Sequence, residues 1–419
     1  DELQRLRPKL LNEDQFVSTY LSKLQPNPDV NWRSDHKAYR AWLQALEAFV
    51  MPLLPAQNSL KASVLYRRLL LDRAHNIYDQ KRFMEYIKLP RQMNYMRPKY
   101  IEQWSVGGHL ADLSRTWPEL PPIHNDEELL RSYLEHFLVD ADDFKTYTPY
   151  LRETYLKQVF AETKLLHGKG DPERWYAMLS PAQLKTIQER VEITFAPGNP
   201  THFAVDDQVT LDVWLKNVDT LIVKVFEINT ASYYRQNNRE INTDIDLDGL
   251  VANEEVVHTY TTPSIRRTRQ SFTFPALKDR GVYVIEFIGN GKSSRALVRK
   301  GRLHYLQRES VAGQVLTVLD DQKQHIKNAT AWLAGHEYVA NEEGYITIPF
   351  STKPGRDYLV LSHNDFASRL AFDHHSETYE LRAGFHVDRE ALRSGHTAEL
   401  AIRPALYLNG NAVSLKLLE

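Results

Sequence analysis

A long predicted β-hairpin at Gly281–Gly301 (GVYVIEFIGNGKSSRALVRKG) constrains the fold of this chain more than any other stretch. Residues Val282–Phe287 have the two-residue period of a strand with at least one buried face. Gly289-Asn290-Gly291 supplies the positive φ angles that a tight turn needs, and Ser294–Val298 returns as the partner strand. Because an isolated hairpin is only marginally stable in water, a second sheet must cover this one. The hairpin therefore predicts a β-sandwich.

From Val191 onward, short strand patterns alternate with turns rich in Gly, Pro, Asn and Asp, which is typical of β-sandwiches. A first sandwich is predicted over 191–302, with strands at 191–195, 200–204, 208–216, 220–227, 255–262, 270–274, 281–288 and 293–299. A smaller sandwich is predicted over 303–380, with strands at 315–319, 329–333, 345–349, 357–362 and 368–373. Residues 381–419 are predicted to open a further, truncated sandwich, so we expect the chain to be part of a longer protein.

Residues 1–190 predict an all-α domain, because their apolar residues recur at helical spacing. Tyr39, Trp42, Leu43 and Leu46 show this period. Helices are predicted at 36–50, 60–75, 126–138 and 149–166, and two short helices are predicted to open at Asp171-Pro172 and Ser180-Pro181. The sequence thus predicts a helical domain followed by antiparallel β-sandwiches.

The composition excludes several classes of function. The chain has 0 cysteines, so disulfides, zinc–thiolate sites and thiol nucleophiles are excluded. The 52 basic and 54 acidic residues give a net charge of -2, which offers no overall attraction for nucleic acid or an anionic membrane. No apolar run is long enough to predict a membrane span. We interpret the basic run Arg266-Arg267-Thr268-Arg269 as a solvated loop rather than a contact for an acidic partner.

Four segments of the β region carry a family resemblance: Leu221–Ile228 (LIVKVFEI), Asp246–Leu250 (DLDGL), Arg280–Gly301 and Thr397–Val413 (TAELAIRPALYLNGNAV). They resemble the macroglobulin-like modules of bacterial alpha-2-macroglobulin-family proteins. In these modules a closing strand of the form G-x-Y-x-V/I-E precedes a Ser-Arg-Ala return strand. The stretch 313–372 is more similar to a transthyretin-type or carboxypeptidase-regulatory-type sandwich. The helical region matches no family that its residues allow us to name.

The resemblance implies immunoglobulin-like or macroglobulin-like sandwiches in a non-catalytic structural and interaction module. The parent protein would be bacterial and periplasmic, cell-surface or secreted, and would serve protease inhibition or envelope defence. Its protein partners would include proteases, bound through regions outside this chain. Family members trap proteases, many through a thioester formed in a Cys-Gly-Glu-Gln motif. This chain has 0 cysteines, so it cannot form the thioester itself. The trapping activity is therefore implied only by the family resemblance.

The segment Asp244–Glu255 fits the twelve-residue calcium loop D-x-D-x-D-G-x5-E. Its predicted ligands are the side chains of Asp244, Asp246, Asp248 and Glu255 and the carbonyl of Leu250. In this interpretation Gly249 allows the sharp turn and Val251 points into the core. Alternatively, the segment is an edge strand whose charges lie in water. No cofactor is certain, and Ca²⁺ is the one candidate that the sequence offers.

Two alternative functions follow from these residues. The first is a calcium-dependent surface adhesion or glycan-binding protein, with the Asp244–Glu255 loop at its centre. The second is an enzyme whose active site lies in the helical region and uses residues such as His75, His109, His124 or Glu127. The spacing of these four residues does not imply a shared site, so the sequence favours a protein that is not an enzyme.

Overall fold

The structure is a computed structural model that describes residues 7–25, 36–104, 120 and 123–418. Its N-terminal region is helical: α1 (Asp14–Lys23), α2 (His36–Val50), α3 (Asn58–Ala74), α4 (Gln80–Lys88), α5 (Pro98–Ile101), α6 (Glu127–Leu138), α7 (Glu153–His167), α8 (Pro172–Tyr176) and α9 (Pro181–Glu189). No helix in these described ranges is both long and apolar enough to cross a lipid bilayer.

Local capping explains where the two short predicted helices begin. The Asp171 carboxylate accepts a hydrogen bond from the Glu173 N–H over 3.1 Å and caps α8. At α9, the Ser180 hydroxyl accepts from the Gln183 N–H, and the Gln183 side chain accepts from the Ser180 N–H. This is a capping box, in which two otherwise unpaired backbone donors are satisfied reciprocally. Both predicted helix starts are confirmed.

A charged and aromatic network lies inside the larger core of the helical region. Asp126 and Arg91 are almost completely buried, with 0% and 1% of their surfaces exposed. The hydroxyls of Tyr86 and Tyr95 donate to Asp126 over 2.5 and 2.6 Å. The Arg91 guanidinium lies 3.9 Å from the centre of the Tyr86 ring. Each buried charge is therefore compensated by hydrogen-bond donors or an aromatic face.

The C-terminal region consists of strands: β1 (Glu192–Phe195), β2 (His202–Phe203), β3 (Val209–Lys216), β4 (Thr220–Ile228), β5 (Glu254–Thr259), β6 (Arg267–Phe274), β7 (Gly281–Gly289), β8 (Lys292–Lys300), β9 (His304–Ser310), β10 (Gly313–Leu319), β11 (Thr330–Leu333), β12 (His336–Val339), β13 (Tyr345–Ile348), β14 (Gly355–His363), β15 (Phe366–His374), β16 (Tyr379–Val387), β17 (Leu400–Leu408) and β18 (Asn411–Val413). One helix interrupts them, α10 (Thr230–Asn237). The predicted fold class, a helical region followed by immunoglobulin-like antiparallel β-sheet domains, is confirmed.

The predicted hairpin at Gly281–Gly301 is confirmed, except that Gly289 is the last residue of β7 and has no positive φ. Strands β7 and β8 pair from Gly281 with Lys300 to Gly289 with Lys292. The loop between them is Asn290-Gly291, whose φ angles of 44° and 75° are both positive. Two consecutive residues with positive φ define the turn type that matches the twist of the flanking strands.

The strands form five sheets in the described part of the chain, with the orders β1-β3-β6, β2-β8-β7-β4-β5, β13-β10-β9, β12-β11-β14-β15 and β16-β17-β18. The pairs β4–β7, β7–β8, β14–β15 and β16–β17 are antiparallel as expected, whereas β2 pairs with β8 in parallel. Sequence reasoning missed β9 and β12, because their exposed residues lack a clear period. It also missed α10, which lies between two strands of one sheet.

The chain divides into two compact units. Unit 1 comprises Asp1–Asn199, Leu211–Thr220 and Thr259–Ser271, and unit 2 comprises Pro200–Thr210, Leu221–His258 and Phe272–Glu419. The predicted domain limits of 1–190, 191–302, 303–380 and 381–419 stay a prediction.

A single hydrophobic core runs through much of unit 2. It includes Phe226 and Val284 from the sheet that holds the hairpin and Leu316, Leu359 and Phe372 from the strands that follow. The segment between β4 and β5 also contributes buried side chains to this core: Tyr234, Ile241, Ile245 and Leu247. Within unit 2, the two consecutive β regions are therefore packed together rather than joined only by a linker.

Candidate functional site

A cavity of about 580 Å³ lies in unit 1. Helices α6 and α7 supply part of its wall, and strand residues Thr194, Trp214 and Arg267 supply another part. Its size falls within the range of small-molecule sites in proteins, about 300–1,000 Å³. Many of its lining side chains are charged or titratable: Arg73, Arg131, Arg190, Arg267, Glu128, Glu135, Glu162, His136 and His167.

Glu162 is the centre of one ion-pair group in this cavity. Its two carboxylate oxygens contact Arg131 over 2.5 Å and Arg190 over 2.6 Å. Arg190 also contacts Glu192 over 2.6 Å. Glu162 is almost fully buried, so these contacts are made where water screens charge only weakly. This partly buried charge network therefore joins α6 and α7 to β1 within unit 1, through Arg190 just after α9.

Glu135 is the centre of a second group. Its carboxylate binds the Arg267 guanidinium and contacts the His167 ring over 2.6 Å. Burial, reinforced by the charge of Lys169, lowers the pKa of His167. In the neutral ring, the tautomer with its hydrogen on Nε2 donates to the Glu135 carboxylate. Burial also lowers the pKa of Arg267, to about 10, so the guanidinium stays charged at neutral pH.

The position of Arg267 corrects the interpretation of residues 266–269 as a solvated loop. Arg267 and Arg269 lie in β6, and their guanidinium groups are 4.9 and 5.9 Å from the centre of the Trp214 ring. Arg269 also pairs with Asp212 over 2.5 Å. The solvated-loop interpretation is wrong because a neighbouring strand presents an aromatic face and a carboxylate to this basic run. The sequence gives no local signal of that neighbour.

The charges in the cavity cancel one another. Four arginines, Arg73, Arg131, Arg190 and Arg267, face the carboxylates of Glu128, Glu135, Glu162 and Glu192. Each guanidinium is therefore engaged by a protein carboxylate. Such an arrangement stabilises the surrounding elements and leaves these groups little freedom to act as general acids or bases.

The predicted calcium ligands lie in an irregular segment that leads into β5. The Asp246 carboxylate accepts a hydrogen bond from the Asp248 N–H over 2.9 Å, and Glu255 pairs with Lys224 over 3.1 Å. Asp244 is exposed, as is Leu250. No three His, Asp or Glu side chains in the described part of the chain are arranged to hold a metal ion. The calcium site stays a prediction.

The same segment has a packing role that the sequence analysis did not assign. Ile245 and Leu247, which alternate with the aspartates, are only 8% and 7% exposed and belong to the core of unit 2. Val251, predicted to point into the core, is instead 88% exposed. Gly249 has a φ of +82°, as the predicted turn requires. The segment is not the edge strand of the alternative interpretation, since β5 begins only at Glu254.

The candidate catalytic residues that the structure describes lie outside the cavity. His75, His124 and Glu127 are described, and none of them lines the cavity. The His75 ring contacts the carbonyl of Leu71 in its own helix over 2.8 Å. His109 lies outside the described residues.

The fold defines a class of protein in which a helical region is followed by immunoglobulin-like β-domains. In this member the cavity lined by paired charges lies in unit 1. Residues 1–191 match the family model of the Actin-binding protein F N-terminal domain, and residues 221–301 match that of the AbpF first immunoglobulin-like domain. The chain is 33% identical over 417 residues to Actin-binding protein F of Dictyostelium discoideum. That alignment covers 96% of this chain and 18% of the relative, so the chain spans about a fifth of the relative's length.

Solved structures give weaker likenesses. A crystal structure of native alpha-2-macroglobulin from Escherichia coli, spanning domains MG0-NIE-MG1, is 13% identical, with a TM-score of 0.29 over 43% of this chain and 64% of the other. A chimeric titin Z1Z2 tandem is 12% identical, with a TM-score of 0.25 over 45% of this chain and 100% of the other. Scores this low support no assignment.

These comparisons correct the predicted family and location. The resemblance to bacterial alpha-2-macroglobulin is wrong as a statement of kinship, because the family models and the curated relative belong to Actin-binding protein F. The segments that carried the resemblance are strand and turn patterns that unrelated sandwiches share. A bacterial periplasmic, cell-surface or secreted location is likewise wrong, since the relative is eukaryotic. Protease inhibition and protease partners lose their basis with the family.

Proposed function

We propose that this chain is a non-catalytic protein-binding module that contributes to binding actin. One observation carries the proposal: the chain is 33% identical, over 96% of its length, to a protein named for actin binding. The family-model matches at 1–191 and 221–301 support it, because both the helical region and the first β region are similar to parts of Actin-binding protein F. The proposal is that this part of the protein holds at least some of the actin contact.

The paired charges in the cavity of unit 1 agree with a binding role rather than a catalytic one. A catalytic acid or base needs a free proton-transfer position near its substrate. In the cavity, Glu135 and Glu162 are each held by an arginine, and Arg190 is shared between two carboxylates. These groups fix the geometry of the helices and of β1, which is what a rigid binding surface requires.

Co-sedimentation with filamentous actin tests this proposal with the whole 419-residue chain. We expect the chain to pellet with filaments in a saturable manner, and to stay in the supernatant when actin is omitted. Since the net charge is only -2, long-range attraction is small, and the bound fraction should change little between about 50 and about 200 mM KCl. Carbodiimide cross-linking of the pellet then assigns the contact to residues of unit 1 or unit 2.

Two results would count against the proposal. A chain that is folded by circular dichroism but does not pellet with actin shows that these 419 residues hold no actin contact of their own. Pelleting that is not saturable, or that disappears at moderate salt, indicates non-specific charge attraction instead.

A further inference from the structure

The balanced charges of the cavity in unit 1 are not equally exposed. The side chains of Arg131 and Arg190 are 31% and 38% exposed, whereas those of Glu162 and Glu192, which pair with them, are only 5% and 12% exposed. Both arginines line the cavity. A molecule that enters the cavity therefore meets guanidinium groups more readily than the carboxylates that balance them.

These two guanidinium groups keep hydrogen-bonding capacity beyond their ion pairs. A guanidinium has five N–H donors in a rigid plane. Arg190 binds Glu192 through Nε and Glu162 through Nη2, and Arg131 binds Glu162 through Nη2. The Nη1 group of each arginine is not used in these contacts. Because both arginines bind the same carboxylate, Glu162 holds two planar donors close together, and such donors match the oxygens of a carboxylate or a phosphate.

The other carboxylates that line the cavity do not oppose an anion strongly. Glu135 is held by Arg267 and by the His167 ring. Glu128 pairs with Arg73 and is mostly exposed, so water and salt screen its charge. The cavity therefore favours a negatively charged ligand over a positively charged one.

Flat rings form another part of the lining. The rings of Tyr78 and His136 are stacked, with centroids 3.9 Å apart and planes that differ by 7°. Burial lowers the pKa of His136, so its ring is neutral at neutral pH and adds a flat face rather than a charge. The Trp214 ring lines the cavity as well, together with the apolar side chains of Val139 and Leu166. Aromatic faces of this kind pair favourably with a flat ring of a ligand.

We propose that this cavity binds a small organic anion: an aromatic ring that carries one carboxylate or phosphate group. The anionic oxygens accept hydrogen bonds from Arg131 and Arg190, and the ring packs among Tyr78, His136 and Trp214. A volume of about 580 Å³ is ample for such a molecule. This inference does not depend on actin binding, because the cavity lies within unit 1 and its ligand is measured without actin.

Isothermal titration calorimetry of the whole 419-residue chain at neutral pH tests the proposal with benzoate, benzamide and benzamidine. These three probes have nearly the same shape and carry a negative, a neutral and a positive group. We expect benzoate to bind at least about tenfold more tightly than benzamidine, with benzamide between them, because the accessible donors are cationic. Such small probes should bind with a Kd of about 1 mM. Phenyl phosphate is the fourth probe, and its affinity relative to benzoate shows which anionic group the site prefers.

Three variants locate the bound anion. Arg131→Gln should weaken benzoate binding about tenfold and reduce the preference for benzoate over benzamidine, since it removes a charged donor. Arg269→Gln is the matched control: Arg269 also contacts the Trp214 ring but does not line the cavity, so benzoate binding should be unchanged. Ser132→Leu keeps every charge and fills part of the cavity, so it should weaken all four probes. It provides the test if Arg131→Gln fails to fold by circular dichroism.

Three results would overturn the proposal. The first is the absence of binding heat with benzoate and phenyl phosphate at about 10 mM, ten times the expected Kd. The second is equal affinity for benzoate and benzamidine, which would show that the arginines do not select the charge of the ligand. The third is benzoate binding that is unchanged in Ser132→Leu, which would place the anion outside this cavity.

Discussion

The backbone N–H of Ala367 donates a hydrogen bond of 2.7 Å to the hydroxyl of Thr230, 137 residues away in the sequence. Thr230 is the first residue of α10, and Ala367 lies in β15. Both residues are almost fully buried. Close by, the Arg369 side chain donates to Asn238 just after α10. The inserted helix therefore ties two consecutive β regions of unit 2 together by specific polar contacts as well as by a shared core.

Replacing Thr230 by Val should destabilise unit 2 by about 1–3 kcal/mol, because it leaves the buried Ala367 N–H without an acceptor in a nearly unchanged volume. Chemical denaturation of the whole chain measures this loss. Thr230→Ser keeps the hydroxyl and should cost less than the Val variant. If the Val variant is as stable as the unsubstituted chain, the Thr230–Ala367 hydrogen bond contributes nothing measurable at this position.

Sequence reasoning located most strands but not the way the β regions join. Alternation in Val282–Phe287 and the Asn290-Gly291 turn are local signals, and they placed the hairpin to within a residue. The helix Thr230–Asn237 has a weak amphipathic pattern and buries Thr230 and Tyr234 against distant strands. Because the stability of this helix comes from those tertiary contacts, its own residues do not predict it.

The Glu135–Arg267 pair is expected to hold α6 and β6 together in unit 1. Either single variant, Glu135→Gln or Arg267→Gln, should cost about 3 kcal/mol, since it leaves a partly buried charge without its partner. The double variant should be less destabilised than the sum of the two, with a coupling of about 1–3 kcal/mol. Denaturation midpoints of the four proteins measure this cycle.

The exposed pair Glu380–Arg382 is the control for that cycle. Both of its side chains are more than half exposed, so Arg382→Gln should change the free energy of unfolding by less than about 1 kcal/mol. Equal costs at the two pairs would show that burial does not strengthen the Glu135–Arg267 contact.

The charge-paired cavity was beyond sequence reasoning for a simple reason. Arg267 and Glu135 are far apart in the chain, and each looks like an ordinary surface residue in its own segment. The contact exists because α6 and the start of β6 lie in the same compact unit. The predicted domain limit at residue 190 assigns them to different domains. Composition and spacing indicate which residues are close in the sequence. This site is formed by residues that are distant in the sequence and close in the folded structure.

The tyrosines around Asp126 should make the protein unstable in alkali. Burial raises the pKa of Tyr86 and of Tyr95 above the ordinary value near 10. Their contribution to stability is complete below the unfolded pKa and is lost as pH rises, because the unfolded chain releases protons that the native chain keeps. Each such group should cost about 1.4 kcal/mol per pH unit above about 10.

Absorbance at 295 nm and circular dichroism, followed together against pH, check this expectation. The last of the 22 tyrosines should ionise only as the circular dichroism of the native state is lost. Tyr95→Phe should remove part of that late absorbance step. Complete ionisation of all tyrosines in a chain with native circular dichroism would contradict the assignment.

The segment 244–255 allows its packing role to be separated from the calcium hypothesis. Ile245→Ala should cost about 2–5 kcal/mol with or without Ca²⁺, since it opens a cavity in the core of unit 2. Asp244→Ala, at an exposed neighbour, should stay within about 0.5 kcal/mol in chelator. If the loop binds calcium, the unsubstituted chain gains about 2.7 kcal/mol at a Ca²⁺ concentration of 100 times Kd, and Asp244→Ala loses that gain. A melting temperature that is the same in chelator and in millimolar Ca²⁺ rejects the calcium site. The alternation of Ile245 and Leu247 with the aspartates is then explained by packing alone, because both side chains are buried in the core of unit 2.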